Sequence, residues 1–142
     1  MKKLLFLLIS FLFISCNFNQ TYHNREEDKK DAEKITGKFY SLLKKNNREE
    51  AFKLIDNKFF ETTNKKQLNQ MIDDINAECG DKISDTQLKI WETSVSVGTN
   101  SKSQYILLYR VERNIQNTQE KFTLEKDDDS IKIVGYDVSL AQ

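Results

Sequence analysis

The side chains that most often carry catalysis or bind metals, histidine and cysteine, are nearly absent from this chain of 142 residues. The only histidine, His23, lies in a polar stretch before the first periodic segment. An acid–base catalyst or a metal ligand must be held against a second group, so we expect His23 to be solvated. Cys79 closes an apolar helical stripe, where a thiol is usually an inert packing group. The sequence therefore predicts no nucleophile–base pair.

Three consecutive aspartates, Asp127, Asp128 and Asp129, could attract calcium, a hard cation that takes several oxygen ligands. Adjacent residues on a tight turn cannot all point at one ion, however. The spacing of the usual helix–loop–helix calcium site is missing as well. We expect a solvated turn there, and we expect no metal and no cofactor.

A group of aromatic residues with one carboxylate is the remaining candidate for a site. Ligand pockets are mostly apolar and contain a few fixed polar groups, which tyrosine hydroxyls and an aspartate can supply. The alternative is that these rings simply fill the core. The candidate ligand-binding residues are Tyr40, Asp56, Trp91, Tyr105, Tyr109 and Tyr136.

Charge and length exclude some classes of function. The chain has 22 basic and 22 acidic residues, so no basic excess exists to neutralise phosphates, and we expect no nucleic-acid partner. The length suits a single domain, which we place at residues 25–142. The sequence contains two cysteines, so an internal disulfide is not expected if one of the two thiols is modified. It contains no proline, so extended linkers are not expected.

The N-terminus has the layout of an export signal. Lys2 and Lys3 precede a run that is apolar from residue 4 to residue 14 except for Ser10, and the small Ser15 stands before Cys16. A membrane-spanning helix needs about 20 apolar residues, so this run is short for a permanent span. An ordinary secretory signal and an N-terminal anchor helix remain alternatives.

With Cys16 directly after the small residue, this segment resembles a bacterial lipoprotein signal, although Phe13 replaces the preferred leucine. The resemblance implies that residues 1–15 are removed as a signal peptide and that Cys16 carries the lipid, including palmitate. Asn17 lacks the acidic side chain that favours inner-membrane retention in enterobacteria. We therefore expect a lipid-anchored envelope protein, with the outer membrane favoured over the inner membrane.

Apolar spacing predicts the elements that would position these residues. Residues 16–24 are predicted to be the lipidated cysteine and a flexible tether. A long helix is predicted over 25–46, a short helix after the capping residue Asn47, and an aromatic hook over 58–62. A third helix begins at Thr63 or Asn64 and is capped by Gly80.

After Gly80 the apolar period changes from helical to alternating, and turn residues divide the remainder into four strands. Phase breaks near Ile90 and beside Gly135 predict bulges. The predicted fold is α+β, with N-terminal helices packed on a bent four-stranded antiparallel meander.

The segments 38–42, 58–62 and 105–111 resemble those of small bacterial lipoproteins with the cystatin-like cone, the fold of nuclear transport factor two. That resemblance implies a shape and no chemistry, because the family includes enzymes, ligand carriers and assembly modules. We favour a non-catalytic binding or assembly module, monomeric or weakly dimeric, with an envelope protein as partner. The alternatives are a small-ligand carrier or sensor and, less favoured, an isomerase or dehydratase using Asp56.

Overall fold

The computed structural model describes residues 19–99, 101–127 and 129–142. Cys16, and with it the lipidation and signal-peptide predictions, lies outside these residues. Within them, no helix is both long enough and apolar enough to cross a membrane. The elements are β1 (Gln20–His23), α1 (Glu26–Lys44), α2 (Arg48–Phe52), a 3-10 turn (Phe59–Glu61), α3 (Lys65–Cys79), β2 (Ile83–Val97), β3 (Ser103–Arg113), β4 (Thr118–Asp127) and β5 (Ser130–Leu140).

Helices α2 and α3 begin at the capping residues that the sequence indicates. The Asn47 side chain accepts a hydrogen bond from the backbone N–H of Glu50, and α2 starts at the residue after Asn47. Asn64 and Gln67 form a reciprocal capping box at the start of α3. The predicted aromatic hook contains a 3-10 turn.

The strands form one antiparallel sheet in the order β1-β2-β3-β4-β5. Helix α1 packs on one face of this sheet against β2, β3 and β5. This confirms the α+β class and the antiparallel sheet, but the sheet has five strands where the sequence predicted four.

The additional strand is β1, which lies in the segment predicted to be a tether. It pairs with the end of β2, from Gln20 opposite Val97 to His23 opposite Ser94. Its inward residue Tyr22 is half-buried, with the guanidinium of Arg25 4.0 Å from the ring centroid. The segment has no apolar period that would predict a strand. It is extended because the open edge of β2 supplies its backbone hydrogen bonds. Long-range pairing, and not local pattern, makes it a strand.

Both predicted bulges are present. The β2–β3 register shifts between Leu88 and Ile90. The β4–β5 register shifts where Thr123 faces Gly135 and Leu124 faces Ile133, which leaves one extra residue in β5. At Gly135 an added Cβ would lie 3.2 Å from the Thr123 Cβ, so close approach of the neighbouring strand explains this glycine.

Two other glycines differ sharply in their surroundings, and they give a matched pair of substitutions. Gly80 ends α3 with φ of +98°, and an added Cβ would collide with the Asn114 side chain. Gly80→Ala is expected to lower the free energy of unfolding by about 1–3 kcal/mol, the range for a strained backbone position. Gly37 lies inside α1, where an added Cβ would have nothing within 4 Å.

Gly37→Ala is therefore expected to raise the free energy of unfolding by about 1 kcal/mol, because alanine is the better residue in an exposed helix interior. Urea titration followed by circular dichroism measures both changes. Equal effects of the two substitutions would contradict the backbone argument.

Candidate functional site

A fully buried glutamate lies at the centre of the domain. Strand alternation along β4 points Thr118, Glu120, Phe122 and Leu124 toward the helices. Glu120 has 0% of its surface exposed. A buried carboxylate is costly unless it is paired and hydrogen-bonded, so its partners determine what it can do.

The first partner is Arg113, the last residue of β3, whose side chain faces inward. Its Nη2 lies 2.8 Å from Glu120 Oε1, and neither side chain is more than 3% exposed. The remaining guanidinium N–H groups donate to the Asn76 side chain, the Gly80 carbonyl and the Thr118 hydroxyl at 3.2–3.3 Å. The ion pair therefore joins β3 and β4 to the end of α3.

Three hydroxyls complete the coordination of the carboxylate. Thr118 donates to Glu120 Oε1 at 2.7 Å, while Tyr40 of α1 and Tyr136 of β5 donate to Oε2 at 3.0 and 2.6 Å. We call these five residues, Arg113, Thr118, Glu120, Tyr40 and Tyr136, the Glu120 cluster. Burial, followed by the adjacent negative charge of Glu120, raises the pKa of both tyrosines well above the ordinary value.

Aromatic rings fill the space around this cluster. Phe122 stacks on Tyr136 at 4.7 Å between centroids, and Tyr40 meets Phe122 and Tyr109 edge-on at 5.5 and 5.6 Å. The Tyr109 hydroxyl hydrogen-bonds to Thr36 at 2.7 Å, and burial raises the pKa of Tyr109 to about 12. These rings form a continuous packed core.

The cavity that reaches the cluster is small. It is bordered by Arg113 and Tyr136 and has a volume of about 30 Å³, which holds about one water molecule. Every oxygen of Glu120 already accepts at least two donors. The arrangement can hold α1, α3 and three strands in register, but it leaves no space in which a substrate would meet the carboxylate.

The structure brings together only part of the predicted ligand-binding set. Tyr40, Tyr105, Tyr109 and Tyr136 share the packed core. Burial raises the pKa of Tyr105. Trp91 is half-buried beneath the ammonium of Lys29, 5.1 Å from its ring centroid.

Asp56 lies apart from the tyrosines. Its carboxylate accepts the backbone N–H of Lys58 at 2.9 Å, and its own N–H donates to the Ile133 carbonyl at 2.8 Å. It therefore shapes the turn that holds Ile55 beside β5. Asp56 also borders an open groove of about 880 Å³, whose lining includes Arg48, Phe52, Lys53, Phe60, Lys65 and Lys132 and none of the candidate tyrosines.

The outer face of the sheet carries apolar residues where polar ones are the rule. Ile90 of β2 pairs with Leu108 of β3, and Ile106 is the next outward residue of β3. Ile90 is 61% exposed, and the other two are half-buried. We call these three residues the outer apolar patch.

The sequence contained a signal for the Glu120 cluster that hydrophobicity alone overlooks. Arg113 continues the inward phase of Tyr109 and Val111, and Glu120 continues that of Phe122 and Leu124. Opposite charges in the buried phase of adjacent strands predict a buried ion pair. The two residues first considered for chemistry lie elsewhere: His23 is exposed in β1, and Cys79 is buried at the end of α3.

Among the described residues, no group of three or more histidine, cysteine, aspartate or glutamate side chains is placed to hold a metal ion. Asp127 and Asp129 are exposed at the β4–β5 turn. Comparisons of the chain with protein-family models, with curated proteins and with solved structures find no match. The function must therefore be argued from the surfaces of the molecule itself.

Proposed function

We propose that this protein is a non-catalytic binding or assembly module of the bacterial cell envelope, anchored through lipid on Cys16, with the cystatin-like cone as its fold. The observation that carries the proposal is the outer apolar patch. In an antiparallel sheet with one covered face, the other face normally alternates to polar residues because it meets water. Here β3 places apolar residues on both faces.

The surroundings of the patch resemble those of a protein interface. Leu108 pairs with Lys121 of β4, Ile106 pairs with Thr123, and Glu92 lies opposite Ile106 in β2. Lys121 in turn bridges Asp137 at 3.1 Å. An apolar centre with a charged rim is the anatomy of a specific protein contact, and exposed apolar patches often mark such sites.

The chemistry of the core supports a non-catalytic role. The Glu120 carboxylate is enclosed by its own donors, and the adjoining cavity has room for about one water. A general base must reach the proton that it removes. The buried carboxylate is better suited to fixing the sheet beneath the outer apolar patch than to turnover.

The lipid anchor rests on the N-terminal sequence, with basic residues, a short apolar run and Ser15 before Cys16. It places the module at a membrane, with the outer membrane favoured and an envelope protein as partner. Palmitate labelling of the wild type and of Cys16→Ser tests it. Incorporation that persists in Cys16→Ser would contradict the anchor.

Photocrosslinking in membranes tests the binding surface. A photoreactive residue at position 121, beside Leu108 on the outer face, is expected to give one defined adduct. Ile90→Asp is expected to abolish that adduct, because it places a charge in the patch. Ile115→Asp is the matched control, since Ile115 is equally exposed at 66% but lies in the β3–β4 turn.

Both isoleucine variants are expected to keep the melting temperature of the wild type. An adduct unaffected by Ile90→Asp would contradict the proposed surface. An adduct of twice the chain mass would identify a second copy of this chain as the occupant.

A further inference from the structure

We propose that the end of the sheet bearing the β2–β3 and β4–β5 turns lies against the membrane surface, and that the β3–β4 turn points away from it. This inference rests on the lipid anchor of the proposed function. It adds an orientation and a membrane-facing surface, which we call the anchor-side end: Val97, Lys102, Lys126 and the described residues of the turns that adjoin them.

The chain between the lipid and the sheet is short. The ordered sheet begins at Gln20, which pairs with Val97. Only residues 17–19 separate Cys16 from that strand. Even fully extended, this connection reaches about 14 Å between the Cα atoms of Cys16 and Gln20. The start of β1 cannot lie farther from the lipid than that.

The directions of the strands place two turns at the same end of the sheet as Gln20. Val97 is the last residue of β2, and Ser103, the first of β3, pairs with Lys126 near the end of β4. The turns after β2 and β4 therefore lie at the same end as Gln20. The β3–β4 turn, with Ile115, lies at the other end of β3. Because β3 has 11 residues, the two ends are separated by about 35 Å.

Charge does not by itself hold this end to a membrane. Lys58, Lys102 and Lys126 are close to the acidic residues of the β4–β5 turn, and Lys58 bridges Glu125 at 2.8 Å. The acidic residues described at this end are Glu125, Asp127 and Asp129. Since opposite charges nearly balance, the short connection, and not electrostatic attraction, fixes the orientation. The surface therefore fits zwitterionic as well as anionic headgroups.

This orientation determines how partners can approach. The outer apolar patch lies partway along the strands, so a partner reaches it from the side of a sheet that stands on the membrane. The opening beside Arg113 lies at the membrane-distal end, because Arg113 closes β3. Neither surface is covered by lipid.

Energy transfer to a membrane dye tests the orientation in the full chain. One variant carries Lys102→Cys and the other Gln116→Cys, both at exposed positions, and each is labelled with the same donor fluorophore. Cys79 is 3% exposed, so the parent chain corrects for its background labelling. Transfer to a lipophilic acceptor is expected to be stronger from position 102 than from position 116, at low and at high salt.

The matched control inserts a flexible Gly/Ser segment of about 20 residues before Gln20, with a root-mean-square span of about 25 Å. It is expected to abolish the difference between the two positions. Equal transfer in the native chain, stronger transfer from position 116, or a difference that survives the insertion overturns the orientation. Palmitate labelling of the same samples separates the two proposals: lipidated chains with equal transfer refute the orientation alone, while chains missing from the membrane refute both.

Discussion

Replacing Arg113 with methionine is expected to lower the free energy of unfolding by about 3–5 kcal/mol, the cost of removing one partner from a buried ion pair. Methionine keeps much of the side-chain volume but leaves the fully buried Glu120 without its cation. It also removes the N–H groups that donate hydrogen bonds to the Asn76 side chain and to the Gly80 carbonyl. Urea denaturation monitored by circular dichroism, with an unchanged m-value, measures the loss.

Two comparisons make this prediction specific. Lys121→Met removes the cation of the exposed Lys121–Asp137 pair on β4 and β5, and it is expected to change stability little because water screens such pairs. Combining Arg113→Met with Glu120→Gln is expected to cost less than the sum of the two single changes, because neutral glutamine no longer requires the cation. Additive costs, or equal effects of Arg113→Met and Lys121→Met, would contradict a coupled buried pair.

Alkaline pH is expected to destabilise the domain, with a loss of roughly 3–4 kcal/mol by pH 11, since in the unfolded chain a tyrosine ionises near pH 10. Burial raises the pKa of Tyr109 to about 12 in the folded state, and the pKa values of Tyr40 and Tyr136 are raised as well. The folded state therefore retains protons that the unfolded state loses.

The sign of the effect follows from linkage. Each raised pKa contributes stability that is complete below about pH 10 and is lost as the pH rises toward the folded value. One pH unit above the unfolded pKa costs about 1 kcal/mol for each such group. Tyr40, Tyr109 and Tyr136 act together, and the smaller shift of Tyr105 has the same sign. Stability measured at pH 8, 10 and 11 reports the slope.

Tyr109→Phe isolates one contribution. The variant is expected to lose about 1 kcal/mol less than the wild type between neutral pH and pH 11, because one ionising group is absent. The hydroxyl of Thr36 retains contacts with the carbonyls of Ala32 and Glu33, so the comparison concerns the pH slope. A slope identical to that of the wild type would show that Tyr109 does not titrate differently on folding.

The sequence predicted the elements whose pattern is local. The helices α1 and α3 have continuous apolar stripes, α3 also has a recognisable cap at each end, and the four long strands alternate between turns. Strand β1 could not be found in this way, because its residues Gln20, Thr21 and His23 are polar and exposed. Its structure depends on the distant edge of β2, which a local pattern does not contain.

The candidate site was less predictable because its decisive residues are charged. Arg113 and Glu120 occupy inward strand positions, but a search for apolar periods passes over them. The tyrosines were identified, yet their partner is Glu120 and not Asp56, which is bonded within its own turn. Which carboxylate meets the rings depends on the register between strands, and the bulges that set this register are only approximately located by sequence.

Strand β1 also has a consequence for the order in which the protein is assembled and stretched. Its partner β2 comes after all three helices, so β1 can pair only after the helices and β2 have been synthesised. It has four residues, most of them exposed, and such an edge element opens at a lower free energy than the core. Peeling it away would lengthen the connection between the proposed lipid on Cys16 and the folded domain from about 14 Å to about 28 Å, and it would leave the Glu120 cluster intact. A pulling force that detaches β1 would thus increase the distance between Cys16 and the domain without unfolding the domain.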